Sequence, residues 1–462
     1  MECRYKELFM GEKVNLTEGN IERTLTRLAI PIMGTSFVQM AYNLTDMFWV
    51  GKIGSSAVAA VGTAGFFTWF AFSLILLAKV GAEVFVAQHI GRGDEEGAKD
   101  HARTAIHLSM ILAVSYGIFL ILLKSNLISF FNLGDKSIIN MAENYLVIVA
   151  AGILFMFLNP VLTSVFNGSG NSKTPFMINL IGLVTNMILD PLMINGFGPF
   201  PAMGVAGAAL ATVIAQAIVT LVFIIIMSTH KDPFFKINIF EKVQWGQMRK
   251  IVRVGFPVSI QNGLFSIIAM IIARLISDYG PVAIAVQKLG SQIESVTWMS
   301  AGGFSTAISA FVGQNYGANR HERIIKGYKS GLKLMSIIGL GATVLLFVFA
   351  RQLFSIFISE PKTIEMGVDY LRILAVSQWF MTLEISNQGA FNGLAKTKYP
   401  SIVGMVFNLF RIPAAYFLSR SLNLGLNGVW WAITISSIFK GVVLFWIFYV
   451  VVIKRYRRTG NF

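Results

Sequence analysis

The chain reads as an all-α polytopic membrane protein, with twelve transmembrane helices in two six-helix bundles related by a pseudo-two-fold axis. Composition is the first reason: of 462 residues 55% are hydrophobic and only 13% charged, too apolar for a soluble protein of this size. A count of apolar runs long enough to cross a hydrocarbon core is the second, and it gives about twelve. Third, the chain repeats itself with landmarks about 225 residues apart.

In chain order, residues 1–26 mix charged and apolar residues without a cleavable signal pattern and form a cytoplasmic lead-in. The only cysteine, Cys3, lies in it, so no internal disulfide is possible. The N-terminal lobe, 27–229, holds spans centred near Gln39, Phe70, Leu112, Ile153, Val184 and Val219. Residues 230–252, with Pro233, Trp245 and several charges, form the inter-lobe linker. The C-terminal lobe, 253–453, holds spans centred near Ile267, Trp298, Leu340, Trp379, Phe407 and Val442, followed by a basic tail over 454–462.

The charge of +15 raises the question of nucleic acid. Its distribution answers it, because roughly 26 basic loop residues fall on one side against roughly six on the other. That asymmetry puts both termini in the cytoplasm, and no soluble basic module with interleaved aromatics is present for a nucleic acid to bind.

The repeat is carried by four ordered matches. "RLAIP" (Arg27 to Pro31) returns as "RVGFP" (Arg253 to Pro257), and "FVAQHIGRG" from Phe85 as "FVGQNYGAN" from Phe311. "FNGSGNSKTP" from Phe166 returns as "FNGLAKTKYP" from Phe391, and "TNMILDP" from Thr185 as "FNLFRIP" from Phe407. Two halves of six spans share one orientation, the plan of a transporter whose lobes rock around a midplane site. A helical channel is the competing plan, but no filter-like backbone motif is visible.

Asp46 and Asp190 sit inside strongly apolar stretches, and an acid at bilayer depth is costly unless it is paired, faces a cavity or carries a proton or ligand. The repeat serves as a control, since Asp46 falls opposite Ile272 and Asp190 opposite Ile412. The architecture therefore requires neither acid. Asn186 and Pro191 do recur, as Asn408 and Pro413, which fits a shared role in packing and kinking.

Gln39, Asn43 and Asp46 follow i, i+4, i+7 spacing and line one helical stripe, with Tyr42 beside it. Such a stripe either hydrogen-bonds a neighbouring helix or faces the transport route. Asn186 and Asp190 share a face at i, i+4, and Pro191 frees a carbonyl one turn earlier, so a proton or sodium ion could be seated there among hard oxygen ligands. Pro31 is a candidate hinge in the first span, with Pro257 its counterpart. Glu384, opposite Asn159, is a secondary candidate for an ion or substrate.

Lys79 with Glu83 and Arg274 with Asp278 have the spacing of local ion pairs, Lys288 is a possible partner for Glu294, and Arg372 and Arg411 are expected to snorkel to an interface. The five histidines show no metal spacing, and the Gly-rich turns lack the lysine of a phosphate loop, so no metal site or ATP site is expected.

Taken together, "YNLTDMFWVGKIG" (Tyr42 to Gly54), "FVAQHIGRGD" (Phe85 to Asp94), "FNGSGNSKTP", "NMILDPLMINGFG" (Asn186 to Gly198) and "GVAGAALAT" (Gly204 to Thr212) make the chain resemble the multidrug and toxic compound extrusion (MATE) transporters across essentially all twelve spans. Within that family it is similar to the DinF-like branch. The resemblance implies a multi-pass protein of the plasma membrane, a monomer and not an enzyme, that exports amphipathic, often cationic compounds in exchange for H+ or Na+ without a cofactor. It also implies ion coupling at Asp46 and Asp190, polar cavity positions at Gln39, Tyr145, Asn159, Asn186 and Thr212, and bending at Pro31. The helix faces read above add Asn186 to the ion-coupling residues, and Tyr42 and Asn43 to the substrate-binding ones, with Gln39, Tyr145, Asn159 and Thr212. The seventh span departs from members with a C-lobe sodium site, carrying Gln261 and Asn262 where they have an acid. The alternative is a lipid-linked oligosaccharide flippase of the related superfamily, which would be expected to carry a more basic cavity for pyrophosphate.

Overall fold

The computed structural model describes residues 11, 13–196 and 201–460. Cys3, most of the lead-in before Lys13, Phe197 and Gly198 of the Asn186–Gly198 motif, and the last two residues of the tail lie outside the described residues. The first half contains α1 (Ile21–Ile53), α2 (Ser55–Arg92), α3 (Glu95–Ser129), α4 (Lys136–Ala151), α5 (Ile153–Ser169), α6 (Lys173–Asn195) and α7 (Gly204–Thr229). After a 3-10 turn at Pro233–Phe235 come α8 (Trp245–Ser277), α9 (Pro281–Gly317), α10 (His321–Val348) and the short α11 (Ala350–Ser355). The chain ends with α12 (Pro361–Gly393), α13 (Lys398–Tyr416), α14 (Gly425–Phe448) and α15 (Arg455–Thr459), with π-helical turns after α13 and α14.

Among the described residues these helices give twelve long elements in the order expected of twelve spans, α4 and α5 counting as one that bends by 50°. The bend falls at Gly152, where Val213 of α7 fills the space that a Cβ would need. Eight single helices are long and apolar enough to cross a membrane, nine counting the bent pair. The long helices outside that set are α1, α9 and α12, which carry Asp46, Glu294 and Glu384 respectively.

The repeated loop motifs have a local physical cause. Gly93 ends α2 in the left-handed conformation, φ 75°, and Asp94 opens α3 by accepting the Gly97 N–H at 2.9 Å. Likewise Gly170 ends α5 at φ 92°, while its counterpart Ala395 takes φ 57° without the freedom of glycine.

Contacts divide the chain into two compact units, one of residues 1–14 and 34–259, the other of 15–33 and 260–462. The division passes through α1 and α8 shortly after Pro31 and Pro257.

In the first unit, Ala60, Leu120, Leu146 and Phe157 centre one core, and Val86, Val165, Phe166 and Phe223 another. The segment read from sequence as a linker belongs to the second of these cores. Phe234 and Phe235 are fully buried there, Arg103 of α3 pairs with Glu241, and His107 Nε2 meets the Ile239 carbonyl at 2.7 Å. The first half of α8 lies close to α2: Ile251 occupies the space beside Gly81, Leu77 that beside Gly255, and the Ser259 hydroxyl donates to the Ser73 carbonyl at 2.6 Å. Such four-residue steps of small side chains let helix backbones approach.

In the second unit, Tyr370, Leu371, Leu374 and Trp430 centre the core, with Tyr370 and Trp430 edge to face at 5.2 Å. Its share of the lead-in is held by α9 and α10. Asn315 donates to the Leu16 carbonyl at 3.0 Å, Arg323 to the Gly19 carbonyl at 2.8 Å, and Lys333 pairs with Glu22 at 3.0 Å.

Candidate functional site

The second half of α1, together with α4, α6 and α7, builds a polar cluster within the first unit. Asp190 is fully buried on α6, and the Asn186 amide one turn earlier donates to its Oδ1 at 2.9 Å. Asp46 on α1 is half-buried and close enough to Asp190 for the two carboxylates to interact electrostatically. Tyr42 and Tyr145, both buried, lie within electrostatic reach of both acids. The Tyr42 hydroxyl donates to the Thr212 carbonyl of α7 at 3.3 Å.

The cluster is incompletely satisfied. Asp46 Oδ1, Asp190 Oδ2, Asn186 Oδ1 and Thr212 Oγ1 are buried without a hydrogen-bond partner among the described residues. Buried oxygens are normally paired, so a group of unsatisfied ones has the valency to accept a proton, ion or ligand group. Two carboxylates in one low-dielectric site repel, and a shared proton or a hard cation relieves that repulsion. Among the described residues, no cluster of three or more His, Cys, Asp or Glu has the makings of a metal site.

The other residues singled out from sequence occupy different settings. Gln39 and Asn43 are exposed on the same helix as Asp46. Asn159, only 3% exposed, donates to Gln216 Oε1 at 2.6 Å and accepts from the Thr220 hydroxyl at 2.7 Å, so its amide is occupied in tying α5 to α7. Pro31 lies inside α1, and beyond it Gly34 leaves room for the Phe176 ring of α6.

In the second unit Glu384, the secondary candidate, pairs with Lys440 of α14 at 3.0 Å, and one expectation is corrected. Arg411 does not snorkel; it is 9% exposed and donates to the Ser436 and Ser437 hydroxyls at 2.6 and 3.2 Å. Glu294 accepts from Gln378 at 2.8 Å and from the Tyr370 hydroxyl at 3.5 Å, while Lys288 is exposed. Arg274 and Asp278 do pair, at 2.7 Å.

Sequence reasoning missed Gln216 and Thr220, although Thr212, Gln216 and Thr220 recur every four residues on α7 and so share a face. It also missed Lys440, which sits in an otherwise apolar run.

A family model described as MatE matches residues 31–192 and again 257–417, each copy beginning at one of the paired prolines Pro31 and Pro257. The chain belongs to the MatE family. It is a multi-pass membrane transporter, not an enzyme. The chain is 27% identical over 427 residues to a probable multidrug resistance protein NorM of Thermotoga maritima, covering 92% of this chain and 91% of that protein. Among solved structures it is similar to MATE in the bent conformation, with TM-score 0.88 and 25% identity over 97% of this chain and 99% of that one. It is also similar to an outward-facing multidrug resistance MATE transporter, with TM-score 0.87 and 26% identity over 94% and 97%.

Proposed function

We propose that this MatE protein is a secondary active multidrug exporter of the plasma membrane, with both termini cytoplasmic, resembling the DinF-like branch. It extrudes amphipathic, often cationic organic compounds in exchange for H+ or Na+, by rocking of two lobes. The observation that carries this reading is the pair of interacting acids, Asp46 and Asp190, each with an oxygen that no group among the described residues satisfies. The names of its relatives support drug substrates.

In this mechanism Asp46 and Asp190 hold the coupling ion, with Asn186 orienting Asp190 through the 2.9 Å hydrogen bond. Tyr42, Tyr145, Thr212, Gln39 and Asn43 offer aromatic and polar contacts to the substrate. The ion entering from outside neutralises an acid and weakens its hold on a cationic drug; its loss inward restores that hold. Exchange requires only that the two ligands compete for one charge, so that each lowers the affinity of the other. For every net charge moved, the membrane potential contributes about 2.3 kcal/mol per 100 mV. Pro31 is the point at which α1 bends as the site changes occupancy.

The test is efflux of a fluorescent organic cation from vesicles under separately imposed proton and sodium gradients. Asp46→Asn and Asp190→Asn are each expected to abolish gradient-driven flux, and the gradient that drives the wild type identifies the ion. Full coupled transport by both variants would remove the site assignment.

A further inference from the structure

The charges of the 230–252 segment are sorted by sign. Its two acids are both taken by the first unit, Asp232 by Lys13 and Glu241 by Arg103 of α3. Lys231, Lys236, Lys242, Arg249 and Lys250 are exposed, and no carboxylate among the described residues lies within ion-pair distance of any of them. Two large apolar side chains stand between these cations. Phe240, at 92%, is the most exposed large hydrophobic residue among those described, and Trp245 is 69% exposed. Phe240 is held outward by bonds on both sides of it, since the Ile239 carbonyl meets His107 Nε2 at 2.7 Å and Glu241 pairs with Arg103. Bare aromatic rings among uncompensated cations are ill suited to water and match a surface that is apolar within and anionic at its edge.

The depth of the segment agrees. Every Asp, Glu, Lys and Arg of α3 except Lys124 precedes His107, and from His107 to the end of the helix at Ser129 the rise is about 33 Å, close to a hydrocarbon thickness of about 30 Å. His107 therefore marks the level at which α3 enters the hydrocarbon, and its contact with Ile239 brings Phe240 to that level. About one turn toward the polar end of α3, the Thr104 hydroxyl donates to the Gln247 amide oxygen at 3.2 Å. Trp245, just before Gln247 on α8, thus lies at the depth of the headgroups, where tryptophan is favoured.

We propose that this segment is a membrane-surface anchor selective for anionic phospholipid, with Phe240 and Trp245 entering the bilayer interface and Lys236, Lys242 and Arg249 holding the headgroup phosphates. Long basic side chains suit that role, because their stems lie along apolar surface while the charge reaches the headgroup layer. The orientation proposed above puts the anchor in the cytoplasmic leaflet; the inference rests on that orientation for the choice of leaflet alone.

A nitroxide spin label carried at Phe240→Cys in a Cys3→Ser background tests both parts, since Cys3 is the only native cysteine. The full-length protein is placed in lipid nanodiscs, and collision of the label with a water-soluble nickel chelate is read by power saturation. Glu95→Cys, at the exposed start of α3, carries the solvent reference. In phosphatidylcholine discs containing phosphatidylglycerol, the label at 240 is expected to be about tenfold less accessible than the label at 95. Replacing Lys236, Lys242 and Arg249 together by glutamine is expected to raise its accessibility about fivefold, as is omitting the phosphatidylglycerol. Equal accessibility at 240 and 95 overturns the anchor, and shielding indifferent to the anionic lipid or to the glutamines overturns the choice of partner. Dipolar broadening of the label at 240 would assign the surface to a second copy of the chain and overturn both. Nanodiscs expose both faces and need no gradient, so failure of the proposed orientation or of export leaves this result standing.

Discussion

Lys440 Nζ lies 3.0 Å from Glu384 Oε2, with each side chain 8% exposed. Neither partner is explained without the other. Removing one leaves an uncompensated charge in the interior, which costs about 3–5 kcal/mol, whereas removing both is often close to neutral. Lys440→Met is therefore expected to lower stability strongly, and the double variant Glu384→Gln with Lys440→Met to recover most of the loss. Thermal unfolding of the purified variants checks both halves of that statement.

Asp94 gives a pH-dependent contribution outside the spans. The Gly97 N–H, and then the His89 ring, hold its carboxyl below the ordinary value. A depressed carboxyl stabilises the folded state above the unfolded pKa, and the contribution is lost as pH falls through the folded value. Asp94→Ala is expected to cost about 1 kcal/mol near neutral pH as a lost helix cap. The difference should close as pH drops below about 4, which unfolding midpoints across a pH series would record.

At Ala395, φ is 57°, where the equivalent turn of the first half has Gly170. An L-residue in the left-handed region carries a penalty of about 1–2 kcal/mol that glycine avoids. Ala395→Gly is accordingly expected to raise the unfolding temperature slightly with transport unchanged, despite the greater freedom glycine gives the unfolded chain.

The spans and their order were legible in the sequence because crossing hydrocarbon demands long apolar helices, and the repeat exposed Asp46 and Asp190 because their counterparts are isoleucines. The contents of each unit were not. Where α1 and α8 change unit depends on close approaches such as Phe176 at Gly34 and Leu77 at Gly255, which a glycine permits but does not announce. The docking of residues 230–252 depends on Phe234 and Phe235 finding α5 and α7, a tertiary event invisible to composition. Lys440 was passed over because its partner is 56 residues away, beyond any helical spacing.

Asn159 builds the polar cluster, in contrast to the acids proposed to carry the ion. Its amide donates to Gln216 and accepts from Thr220, tying α5 to α7. Asn159→Leu would take a partner from the buried Thr220 hydroxyl, which keeps its bond to the Gln216 carbonyl, and from the half-buried Gln216 amide oxygen, at a cost of about 1–3 kcal/mol. The expected result is a lower unfolding temperature and less protein in the membrane, while the exporter that remains keeps the wild-type choice of driving ion per molecule. Asp190→Asn is the contrasting case: it preserves shape and burial but removes the charge, so it should leave stability near the wild-type value and abolish coupling. Vesicle efflux normalised to protein, measured beside thermal unfolding, tells these patterns apart. An Asn159→Leu protein of normal stability with altered ion dependence would move Asn159 from the scaffold into the coupling site.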